Sequence, residues 1–197
     1  MPNIDITSGL DLIENIALKG MLIMYKKLMR KTVFKSSWIE LFMDDVIDEN
    51  NSLLKYNVVH FKNESVVVVV RKNNMFLMVD SYRYPIEMIQ NEFPAGSIED
   101  SETPFEAAER EVFEETGIKI ACKDISYSFY PSNGITDQKI HVIFADYIGG
   151  TLTPQEEILK CYWITKDQLF NDVSLGKISD APTLIALLYY NLNPALK

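Results

Sequence analysis

GSIEDSETPFEAAEREVFEETGI, residues 96–118, is the stretch from which the rest of the chain can be read. Thr103, Pro104 and Glu106 predict a helix start: a hydroxyl at the N-cap, proline at the first helical position and a capping-box carboxylate. Gly117 predicts its end. On such a helix Glu111 and Glu115 stand one above the other with Glu114 beside them, while Phe105, Ala108 and Val112 share an adjoining apolar arc. The carboxylate row is costly on its own. Like charges repel at this spacing, and Glu114 and Glu115 stand at the negative end of the helix dipole. A solvated face is the ordinary explanation for a charge run, but here the apolar arc and the fixed helix ends set the geometry of the row. A divalent cation would turn the repulsion into coordination, and carboxylate oxygens suit Mg²⁺ or Mn²⁺.

The surrounding composition agrees with that chemistry. The chain has 197 residues, 47% of them hydrophobic and 24% charged, which predicts a soluble globular protein with one core of ordinary size. Its formal net charge of −9 argues against a nucleic-acid backbone as partner. It also means that an anionic phosphate substrate needs a cation to approach. Cys122 and Cys161 are too few and too far apart for a zinc cluster or a disulfide framework. The start, MPNIDITSGLDLIEN, has no basic n-region or cleavage site, and no apolar run approaches the ~18 residues of a membrane span. A cytoplasmic protein without a membrane partner is expected.

Outward from the central helix, residues 9–29 have helical apolar spacing, with Leu12, Ile13, Ile16 and Leu22 on one side and Lys26, Lys27, Arg30 and Lys31 at the end. Packing on its own domain or on a partner subunit is preferred for this helix over a membrane surface. Strands are predicted at 32–47 and, after the turn Asp48-Glu49-Asn50-Asn51, at 53–61. Val66 to Val70 reads as a fully buried strand, turning at Asn73-Asn74 into Met75 to Val79. Further strands are expected at 119–130, 139–148 and Cys161 to Ile164. Asp180 should cap a last helix that buries Leu184, Leu187 and Leu188. His60 and His141 lie in strand-like surroundings and are read as structural. The order predicts one mixed α/β (α+β) domain. Within it, residues 1–62 would form an N-terminal extension for dimerisation or substrate support and 63–197 the main core.

Gly96, Glu102, Arg110, Glu111, Val112, Glu114, Glu115, Gly117 and Ile118 fill every fixed place of the Nudix box. At ~5–8% per position, seven fixed identities coincide by chance about once in 10⁸ trials. The chain therefore resembles the Nudix hydrolases, and the resemblance implies a mixed β-sheet between helices with the box as loop, helix and loop. The upstream segment SYRYPIEMIQNEFPAG, 81–96, narrows the likeness to the ADP-ribose and nucleoside-diphosphate-sugar pyrophosphatases. That likeness implies that Arg83 holds a diphosphate and that the Ala95 carbonyl joins Glu111 and Glu115 on metal, with Glu114 and Glu102 in support. Arg110 would fix the carboxylate rotamers.

Two departures stand out. Ser81 replaces a more usual glutamine, and Gln138 stands where the subgroup commonly has glutamate. A glutamine amide cannot act as a general base. In several members a glutamate in the loop before a Trp-containing strand takes that role, which here offers Glu156 and Glu157, with Glu157 at the better spacing to Trp163. Trp38 and Tyr82 are candidates to stack on the nucleobase. The resemblance further implies a homodimer with exchanged N-terminal strands and Mg²⁺-dependent cleavage of a nucleoside-diphosphate sugar, ADP-ribose first, giving AMP and ribose 5-phosphate. GDP-mannose, another nucleotide sugar or a dinucleotide is the alternative substrate, and a non-catalytic nucleotide-sugar-binding module is the alternative of another class.

Overall fold

The computed structural model describes residues 24–155 and 157–196. They divide into two compact units, one holding residues up to Lys35 with Leu41–Val58, the other Ser36–Glu40 with Val59 onward.

The first unit carries most of a three-stranded sheet in the order β1 (Tyr25–Lys35), β2 (Ile39–Asp48), β3 (Leu53–Phe61). Residues 25–29, predicted as the end of a helix, are strand, and every residue of β1 is exposed. The rest of the expected helix, 9–23, lies outside the described residues. The predicted strand 32–47 is broken in two at Ser36, whose hydroxyl accepts from the Trp38 and Ile39 amides (3.2 and 3.1 Å) and turns the chain. The Asp48 turn closes the next hairpin: its carboxylate accepts from the amides of Asn50 (2.9 Å) and Ser52 (2.7 Å), with Asn51 left-handed at φ 61°. Asp44 is buried on β2 and takes a bidentate pair from Arg30 at 2.8 and 2.7 Å.

The second unit is built on a seven-stranded sheet. Its main path runs β10 (Ile158–Thr165), β5 (Met75–Arg83), β4 (Ser65–Lys72), β9 (Ile140–Gly150), β8 (Ile118–Phe129). Two short strands attach to it, β6 (Met88–Glu92) on β5 and β7 (Ala95–Ser97) on β4. The central pair β4–β9 is parallel and the other pairs are antiparallel. Val66 to Val70 are at most 2% exposed, and their alternation serves two cores. Val66, Val68 and Val70 pack with Ala107, Ala108 and Val112 of α1 (Pro104–Thr116). Val67 and Val69 pack with Leu169 of α2 (Lys166–Ser174) and Ala186, Leu187 and Tyr190 of α3 (Ala181–Leu192). A mixed sheet between helices is the predicted architecture, and the structure has it.

The last helix begins where expected, with Asp180 accepting from the Thr183 amide at 2.8 Å. Its buried side differs from the prediction. Thr183, Ala186, Leu187 and Tyr190 face inward at helical spacing, Leu184 is partly buried and Leu188 faces solvent. The Thr183 hydroxyl accepts from the Phe93 amide at 2.9 Å, which pins α3 beside the segment leading into β7.

Candidate active site

Helix α1 starts on the predicted capping box. Thr103 accepts from the Glu106 amide (3.2 Å), Glu106 accepts from the Thr103 amide (2.8 Å), and Gly117 ends the helix at φ 71°. With Ala108 and Val112 buried, the carboxylate row is held against the end of β7.

Arg110 is the hub of the row. Its Nε and one terminal nitrogen hold both Glu102 oxygens (2.7 and 2.9 Å), and the same terminal nitrogen reaches the Ser97 carbonyl at 2.8 Å. The other terminal nitrogen donates to Glu111 and Glu114, each at 2.9 Å. All five N–H donors are thus engaged and the carboxylates are fixed around one planar fork. The Arg110 bonds, helped by the Glu99 amide, pull the Glu102 carboxyl down to about 2.

Glu115 lies under different forces. Among the described residues its Oε2 has no hydrogen-bond partner and is sealed from solvent, while the Ala95 amide donates to the carboxylate. Burial, and then the charges of Glu111 and Glu92, push its carboxyl up to about 8. An orphaned buried carboxylate oxygen costs free energy unless a cation or proton meets it. Gly96 completes the setting, because a Cβ there would overlap the Glu111 carboxylate. Hard oxygen donors, one of them without a partner, fit a divalent cation.

Arg83 ends β5 and is paired with Glu92 of β6, its Nε at 3.2 Å from one oxygen and a terminal nitrogen in close contact with the other. Glu92 is 3% exposed and also takes a bond from Ser81, whose small hydroxyl is itself buried. Sequence reasoning quoted Glu92 within its motif and gave it no role. In the β5–β6 hairpin Glu92 faces Val79 and Arg83 faces Met88, so the pair forms only because the long Arg83 side chain reaches back along the hairpin to Glu92, a contact that residue spacing does not reveal. Arg83 keeps 44% of its side chain exposed and lies within electrostatic reach of Glu115. Tyr82 beside it is half exposed.

Trp38 projects from the Ser36 turn with 71% of its surface exposed. It lines a cleft of about 210 Å³ with Phe61, Lys62, Asn63, Ser97 and Gln138, among others. Ser97 belongs both to this cleft and to the Arg110 hub. Glu157 is exposed in the turn before β10. The loop ahead of it is hydrogen-bonded to the end of α1, Thr153 to the Thr116 carbonyl (2.9 Å) and Gln155 to that of Glu115 (3.1 Å). Glu156 lies outside the described residues. The histidines both meet carboxylates: His60 lies 2.6 Å from Asp137, and His141 is in close contact with Glu64.

With this geometry in place, the comparison with known proteins is direct. The NUDIX domain profile matches residues 62–186. The chain belongs to the NUDIX domain family. It is a Nudix hydrolase of the ADP-ribose pyrophosphatase-like type, and members of the family generally use divalent metal ions. A methanol dehydrogenase activator from Bacillus methanolicus is 30% identical over 90% of this chain and 98% of its own length. An ADP-ribose pyrophosphatase from Bacillus subtilis (strain 168) is 28% identical over 87% of this chain and 95% of its own. The crystal structure of an ADP compounds hydrolase shares the fold at a TM-score of 0.74, with 19% identity over 86% of this chain and 94% of that one. No helix among the described residues is long and apolar enough to cross a membrane.

Proposed function

We propose that this protein is a cytoplasmic, Mg²⁺-dependent pyrophosphatase that hydrolyses the diphosphate of a nucleoside-diphosphate sugar, ADP-ribose before others, to AMP and ribose 5-phosphate. The observation that carries the reading is the buried Oε2 of Glu115, without a hydrogen-bond partner among the described residues, beside the Glu111 carboxylate seated over Gly96. Likeness to an ADP-ribose pyrophosphatase along nearly the whole chain supports the substrate class.

Glu111, Glu115 and the Ala95 carbonyl would hold the cation, with Glu114 and Glu102 in support. Among the described residues no three His, Cys, Asp or Glu side chains form a ready-made metal site. Mg²⁺ is commonly held by one or two carboxylates together with substrate phosphates, and Mn²⁺ accepts the same oxygen donors. When bound, the cation supplies charge neutralisation at phosphate oxygens and acidifies water.

The protein's own groups do the rest. Arg110 holds Glu102, Glu111 and Glu114 in one arrangement, so little reorganisation accompanies binding. Arg83 presents the exposed part of its fork to the diphosphate and neutralises charge on the non-bridging oxygens as it builds. Glu157 takes the proton of the attacking water, and Glu156, its neighbour in sequence, is the alternative base. Trp38 and Tyr82 offer rings for the nucleobase. Residues 1–62 support the 63–197 core, and two copies of the chain form a homodimer through their N-terminal strands. Sedimentation at micromolar concentration tests the dimer: a single species of about twice 22.6 kDa is expected, and a monomer refutes it.

The deciding experiment measures turnover of ADP-ribose, ADP-glucose, GDP-mannose, NADH, a diadenosine polyphosphate and a nucleoside triphosphate, with Mg²⁺ present and then chelated. AMP release that is fastest from ADP-ribose and lost on chelation is expected. A faster substrate elsewhere in the panel replaces ADP-ribose in the reading. Binding without turnover of any compound overturns the enzymatic reading.

A further inference from the structure

Gln138 stands where a general base would be expected, and the structure gives its side chain other surroundings. It lines the Trp38 cleft, and both residues are clipped to the same short segment of chain. The Trp38 carbonyl accepts from the Lys62 amide at 3.2 Å. Asp137, next to Gln138, accepts from the Phe61 amide at 3.1 Å and pairs with His60 at 2.6 Å. The Gln138 amide nitrogen of the main chain is fixed in turn by the Thr136 hydroxyl at 3.1 Å. The cleft therefore has a rigid frame.

Within that frame the hydrogen-bonding groups are unevenly used. Lys62 donates to the Ser36 carbonyl at 2.6 Å and Asn63 to the Ile98 carbonyl at 2.8 Å. Among the described residues, the Gln138 side-chain amide and the Trp38 indole N–H have no hydrogen-bond partner. A volume of about 210 Å³ is below the ~300 Å³ at which sites for whole drug-sized ligands begin, so the cleft takes one end of a larger molecule. Through Ser97 it opens next to the Arg110 hub. A flat ring face and an unused amide lining one cleft, joined through Ser97 to the Arg110 carboxylate row, match a nucleobase.

The amide decides which base. A glutamine side chain offers one donor and one acceptor side by side, complementary to adenine N7 and N6. The corresponding guanine edge presents two acceptors, N7 and O6, and matches two donors instead. We propose that Gln138 is the base-specificity residue of this site, reading the adenine edge of a nucleotide stacked on Trp38. The inference deepens the function proposed above and rests on that reading for its phosphate end.

The test uses AMP and GMP, which carry the base and no cleavable diphosphate, so it is independent of turnover. In a Trp163→Phe background Trp38 is the remaining tryptophan, and its fluorescence reports binding in the presence of Mg²⁺. AMP is expected to quench it with a Kd at least about tenfold below that of GMP. Gln138→Ala should weaken AMP about tenfold and leave GMP within about twofold. Gln138→Lys, with donors only, should reverse the order. Equal weakening of both nucleotides, equal binding in the parent protein, no change in Gln138→Ala or no quenching overturns the proposal. The expected AMP pattern in a protein that turns over no diphosphate would overturn the proposed hydrolase function and keep this one. ADP-ribose hydrolysis without base discrimination would do the reverse.

Discussion

The Glu111 carboxylate occupies the space that any side chain at Gly96 would need. Gly96 has no positive φ, so its lack of a side chain answers to this neighbour and not to backbone conformation. Gly96→Ala should fold normally yet push Glu111 out of line with Glu115. A displacement of about an ångström in a positioned group can lower rate by ~10²-fold. A thermal midpoint near the parent's with turnover reduced by about that factor is expected. Unchanged turnover would mean that Glu111 has no part in the chemistry.

Glu115 gives the chelated protein a characteristic pH response. Its folded-state carboxyl is raised to about 8 from an ordinary value of 4.5, so the folded form binds the proton more tightly than the unfolded form. The resulting stability is fully present below about pH 4.5 and is lost as pH rises through about 8. Urea unfolding in chelator at several pH values should show this loss, and Glu115→Gln should remove it. In the same variant, metal-dependent turnover should fall ~10²-fold or more. Identical pH slopes in parent and variant would contradict the assignment.

The Arg83–Glu92 pair separates stability from activity. Arg83→Ala leaves Glu92 buried without its cation. Because Arg83 is 44% exposed and partly solvated, a loss of ~1–3 kcal/mol is expected, below the full cost of breaking a buried pair. Adding Glu92→Gln should restore most of that stability in a denaturant melt while turnover stays low. Restoration of turnover with stability would show that Arg83 serves the fold alone.

Glu157 can be tested apart from the cation. Glu157→Gln should lower kcat by ~10²–10⁴-fold with Mn²⁺ affinity unchanged. Glu156→Gln should cost less than tenfold. The opposite ranking would transfer the base to Glu156.

The parts of the site that were legible in sequence are those whose signals are local. Thr103, Pro104, Glu106 and Gly117 specify a helix without reference to any other segment, and the carboxylates follow from its periodicity. The five valines likewise announce a strand with two buried faces. What escaped depends on partners distant in the chain. Residues 25–29 resembled a helix end because Lys26, Lys27 and Arg30 suit one, while their strand conformation is set by pairing with β2. Glu92 gained its meaning from the facing strand, and Gln138 from a cleft whose other wall, Trp38, stands on a turn far away in sequence. Leu188 was misplaced because a run of leucines hides which side of the helix is inward.

The parallel pairing of β4 with β9 also governs how the chain must be made. Val66 to Val70 form an uncharged, strongly β-prone run, the composition that favours intermolecular cross-β stacking when left uncovered. Its parallel neighbour emerges from the ribosome only after the whole box helix and β8, because Val66 pairs with His141. During that interval the valine run is an exposed, aggregation-prone segment of the nascent chain. Glu64 on one side and Arg71 and Lys72 on the other flank the valines with charge, where they act as gatekeepers against self-association.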